Sequence, residues 1–72
     1  MDEYSRIVIE KYCMTHRKTK KAMFFKNLLE LSYTMECEPE DWEADQLERY
    51  ISLEKNSELQ EALIDLDEFL FG

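Results

Sequence analysis

Apolar residues return along this chain at intervals of three and four, the spacing of one face of a helix at about 100° per residue. The clearest stretch is Ala22 to Met35. Phe24, Leu28, Leu31 and Met35 make one row. Phe25, Leu29 and Ser32 make a second, with Ala22 and Tyr33 at its edge. A helix apolar over half its circumference needs more than one neighbour to cover it. The pattern therefore predicts that this helix, over about residues 19–36, is the central element of a small bundle.

Three further helices are predicted, over about residues 3–15, 39–54 and 57–70. In the first, Tyr4, Val8, Tyr12 and Thr15 form the inward row, with Ile7 and Met14 beside it and Asp2 as N-cap. Ile7-Val8-Ile9 has some strand propensity, but the four-residue spacing favours helix. His16 to Lys18 connects to the second helix, with Thr19 as its cap. Pro39 cannot continue that helix and suits the first turn of the third. There Ala44, Leu47, Tyr50 and Ile51 face inward. Lys55-Asn56 breaks the pattern, although one long bent helix is the alternative. Ser57 and Gln60 match a capping box. Leu59, Leu63, Leu66 and Leu70, with Ala62 and Phe69, then face inward, and Ile64 and Phe71 fall outside the row. The fold class is all-α: a three- to four-helix bundle in one domain spanning residues 1–72.

Composition agrees. One Gly and one Pro leave little material for hairpin turns. High aromatic content argues against disorder. A chain of 72 residues buries only about 60% of its unfolded surface, so stability should be modest.

Charge changes the picture more. The net charge is −8, and it is unevenly placed. Residues 1–35 hold seven basic and four acidic residues, or +3, whereas residues 36–72 hold two and thirteen, or −11. On the third helix Asp41, Asp45 and Glu48 share a wholly acidic row. Glu58, Glu61, Asp65 and Glu68 do the same on the fourth. Trp42 and Leu53 lie on a separate row of the third helix, with Gln46 and Arg49 between them. Trp42, Leu53, Ile64 and Phe71 are apolar beyond what the inner rows need, which fits either association, including a homodimer, or a Trp42 that folds over the Pro39 turn to cover the end of the first helix.

Candidate chemistry is sparse. Cys13, Cys37 and His16 lack the spacing of a metal site. The acids around residues 36–45 lack the Gly that an EF-hand loop requires. There is no Gly-rich phosphate loop, and the lone His16 has no flanking acid. No cofactor and no enzymatic activity are expected. A hairpin near Arg17 would hold Cys13 and Cys37 roughly 20 Å apart, too far for a disulfide. With no secretory core and no apolar run of about 18 residues, a reduced cytoplasmic protein off the membrane is expected.

These features fit a non-enzymatic binding module: an adaptor, inhibitor or regulator of a protein with a basic surface. Its size and acidity resemble those of small phage- and bacterium-encoded regulators. The binding residues expected are Trp42, Leu53, Asp41, Asp45, Glu48, Glu58, Glu61, Asp65 and Glu68. The alternative is an acidic mimic of nucleic acid, because carboxylates rising about 5 Å apart approach the charge density of a DNA strand. Direct nucleic-acid binding through Arg17 to Lys26 is disfavoured by the negative net charge.

Overall fold

The computed structural model describes residues 1–34 and 38–72. It contains four helices and, among the described residues, no strand. They are α1 (Glu3–Thr15), α2 (Lys20–Thr34), α3 (Asp41–Leu53) and α4 (Ser57–Phe71). Met35, the expected end of the second helix near Glu36, and Cys37 lie outside the described residues.

Helix ends follow local chemistry. The Thr19 hydroxyl accepts from the Ala22 N–H at 3.1 Å and donates to the His16 carbonyl at 2.8 Å. That closes the α1–α2 turn and caps α2, as the sequence predicts. Asp2 occupies the N-cap position of α1, but its side chain makes no cap bond. Its N–H instead donates to the Asp65 carboxylate at 3.0 Å, tying the start of α1 to α4. α3 begins at Asp41 rather than Pro39, because Glu40 is extended and the Glu43 carboxylate accepts from its N–H at 2.9 Å. The expected Ser57–Gln60 box is corrected. Asn56 is the cap of α4, its Oδ1 accepting from the N–H groups of Glu58 and Leu59. Gln60 is used elsewhere: its Nε2 donates to the Ile51 carbonyl at 2.8 Å, stapling α4 to α3. Glu54 is extended, so α3 and α4 are separate helices, not one bent helix.

The largest fully buried side chains are Ile9 from α1, Phe25 and Leu28 from α2, Leu47 from α3, and Leu63 and Leu66 from α4. The central position differs from the sequence expectation. α4 approaches all three other helices closely, whereas α2 approaches only α1 and α4. No Cα of α2 comes within 8 Å of one of α3 among the described residues. That side of the bundle is bridged by rings instead: Phe24 and Tyr50 at 5.6 Å, and Phe25 and Tyr50 at 5.3 Å between centroids.

Two other rows are corrected. α1 is turned by about one residue, about 100°, from the expected face. Ser5, Ile9 and Cys13 point inward, Val8 and Tyr12 are half-buried, and Tyr4, Ile7, Met14 and Thr15 are exposed. The small side chains of Ser5 and Cys13 let α1 approach its neighbours, and tyrosines with a polar tip settle at the boundary. On α4, Phe69 is exposed while Phe71 packs against the core. Phe69 instead lines a shallow surface pocket with Glu3 and Arg6 of α1 and Ser32 and Tyr33 of α2.

Candidate partner-binding surface

α3 separates its faces cleanly. Leu47 points into the core, Ala44 and Ile51 are half-buried beside it, and Asp41, Asp45 and Glu48 are exposed along the outer side. Successive members of the acidic row are three or four residues apart, so they stay on one ridge. The sequence reading of this row and the geometry agree.

Trp42 lies beside that ridge and is 58% exposed. It is nevertheless held in place. Its indole N–H donates to the Glu40 carboxylate. Its ring packs on Phe24 of α2 at 6.1 Å, and Phe24 packs on Phe25 at 6.2 Å. Trp42 is thus the outermost ring of an aromatic series that begins in the core with Phe25. A large aromatic side chain fixed in this way loses little freedom when a partner covers it. Leu53 is 74% exposed at the opposite end of α3. Eleven residues of helix separate it from Trp42 by about 16 Å, so the two share a side but not a pocket.

The α4 acids divide. Glu58 accepts from the Tyr4 hydroxyl at 2.6 Å, and Asp65 accepts from the Asp2 N–H. Both therefore lean towards α1. The bond to Glu58 first, then desolvation and the charges of Glu58 and Glu61, push the Tyr4 phenol above its ordinary value. Glu61 and Glu68 are exposed. The structure does not place the four in one uniform line.

Sequence reasoning missed two participants. Asp67 belongs to no acidic row of the sequence, yet it marks where the α3 and α4 acids converge. Burial pushes its carboxyl up, and the charges of Glu48 and Glu68 push it further. The second is Lys21, which the sequence groups with Arg17, Lys18 and Lys20 around Thr19. Its ammonium instead bonds Glu54 at 2.9 Å and lies 5.5 to 5.9 Å from the ring centroids of Tyr12, Phe25 and Tyr50. No periodicity rule announces such a lysine, because its three rings come from three helices. The exposed cations of the turn are Arg17, Lys18 and Lys20.

Other groups are occupied locally. His16 stacks on Tyr12 at 4.4 Å between centroids, with Nδ1 3.2 Å from the Tyr12 carbonyl. The Cys13 thiol is reduced and buried and donates to the Ala22 carbonyl at 3.4 Å. Burial pushes it above the ordinary thiol value, which lowers its reactivity. Among the described residues no group of three or more His, Cys, Asp or Glu is arranged to hold a metal ion. No helix among them is long and apolar enough to cross a membrane. No family model matches this chain, and neither does any curated protein or solved structure.

Proposed function

We propose that this chain is a non-enzymatic protein-binding module, an adaptor, inhibitor or regulator that engages a basic protein surface through α3. One observation carries the reading. Trp42 is exposed yet fixed by Glu40 and Phe24, immediately beside the exposed carboxylates of Asp41 and Asp45. In this mechanism the acidic ridge draws a cationic surface in and sets the salt dependence of the encounter. The indole then fills an apolar pocket and slows dissociation. Leu53 would make a separate, peripheral contact. The proposed setting is the cytoplasm, with no cofactor.

The second reading, a nucleic-acid mimic using Glu58, Glu61, Asp65 and Glu68 as well, has less support. Glu58 and Asp65 are engaged by donors at the start of the chain, which interrupts the regular charge spacing that a basic groove would read.

The test is surface plasmon resonance against a partner captured from the source cells, at low and high salt. Trp42→Ala should raise the off-rate by a factor worth at least ~2 kcal/mol, the hot-spot threshold. Asp41→Asn, Asp45→Asn and Glu48→Gln together should chiefly lower the on-rate at low salt. A folded Trp42→Ala variant that binds as before would overturn the anchor. Affinity that collapses with salt and ignores Trp42 would favour the mimic.

A further inference from the structure

The side of α2 turned away from Trp42 carries a pattern of its own. Met23, Lys26, Glu30 and Tyr33 fall within an arc of about 80° when placed at 100° per residue. All four are exposed. Between this stripe and α1 runs a groove of about 460 Å³, floored by Cys13 and Leu29 and flanked by Met14, itself 77% exposed. Met14, Met23 and Tyr33 thus place three exposed large apolar side chains on the α1–α2 side. Scattered apolar residues are ordinary on a monomer, but a cluster around a groove marks an interaction surface.

We infer that this face pairs with a second copy of the chain, α2 against α2 in antiparallel, about a two-fold axis level with Leu28. The stripe is complementary to itself. A two-fold axis at residue 28 sets position 26 opposite 30 and position 23 opposite 33. Lys26 then meets Glu30 of the other copy, and Met23 meets its Tyr33 ring, each pair made twice. Such self-complementarity is what an isologous interface demands. Lys26, Glu30 and Arg17 form no ion pair within the chain among the described residues, so these charges are available. Sulfur against an aromatic ring adds favourable contact.

Long-range charge selects the same face. Residues 1–35 carry +3 and residues 36–72 carry −11. Two copies meeting through α3 or α4 would bring their acidic ridges together. Meeting through α1 and α2 turns those ridges outward, away from each other. Trp42 lies on the other side of α2 and stays uncovered, so the pairing does not depend on the binding role proposed for α3.

Sedimentation equilibrium from micromolar to sub-millimolar concentration tests the pairing, with circular dichroism verifying each variant's fold. The wild-type chain should dimerise. Lys26→Glu sets like charges opposite each other twice and should weaken the dimer by about tenfold or more. Combining Lys26→Glu with Glu30→Lys reverses both members of each pair and should restore the affinity to within about threefold. A wild-type monomer throughout that range overturns the inference. So does a dimer indifferent to Lys26→Glu, or a folded double variant that stays as weak as the single one.

Discussion

The Lys21 ammonium and the Glu54 carboxylate meet at 2.9 Å across the α2–α3 side of the bundle, where the two helix backbones do not touch. Their environment is aromatic, and the Glu54 side chain is only 11% exposed. Burial alone would raise the Glu54 carboxyl. The Lys21 hydrogen bond, the N–H groups of Asn56 and Lys55, and the Lys21 charge outweigh burial and hold the carboxyl below its ordinary value. Burial likewise works to lower Lys21, and the Glu54 bond and charge raise it overall.

These opposed shifts set a pH window. A carboxyl held low stabilises the fold above its ordinary value of 4.5 and loses that contribution as pH falls through its folded value. A lysine held high contributes below its ordinary value of 10.5 and loses that contribution as pH rises through its folded value. The pair should therefore stabilise fully between those limits. Lys21→Met keeps the stem among the rings but leaves the largely buried Glu54 carboxylate without its countercharge, and should cost about 1–3 kcal/mol near neutral pH. Glu54→Gln should flatten the acid side of the stability profile. Urea melts at neutral pH and at about pH 3 would check both effects.

The start of α4 separates two chemically similar neighbours. Asn56→Ala removes an oxygen that accepts from two helix N–H groups and should cost about 0.5–2 kcal/mol. Ser57→Ala, at the first helical position, should change stability by less than about 0.5 kcal/mol. Thermal melts of the two variants would show the difference. Equal costs would return the cap to Ser57.

The sequence pattern located both helices that meet at this cap but misassigned the cap itself. Ser57-x-x-Gln60 is a genuine box motif, yet Asn56 stands one residue earlier and is an equally good cap. Only the extended backbone at Asn56 decides between them. The same limit explains α1. Its apolar residues surround most of the helix, so periodicity could not choose between the Tyr4/Val8/Tyr12 face and the Ser5/Ile9/Cys13 face. α3 has a single acidic ridge, so its inner and outer faces follow from the pattern, and its start is displaced from Pro39 to Asp41. At the candidate site, Trp42 and its neighbouring acids were visible as off-row residues. The Phe24 contact that fixes the indole was not, because it joins residues eighteen apart in the chain.

Leu28 lies on one of the two apolar rows of α2 and is fully buried. Leu28→Ala should cost about 2–5 kcal/mol, from lost transfer energy and the cavity left behind. A domain of this size holds roughly 3–5 kcal/mol in its core. A circular dichroism melt should thus find most of the variant unfolded at room temperature.

The open α2–α3 side also orders the way the molecule comes apart. α3 approaches only α4 with its backbone; its links to α2 are rings and one ion pair. Detaching it breaks a single close helix packing, whereas releasing α4 breaks three. Amide protons of α3 should exchange with solvent first, through an opening that costs less than global unfolding. Those of α4 should exchange last. A partner that clamps Trp42 would slow α3 exchange selectively, so the helix proposed to bind is also the one whose fluctuations report the binding.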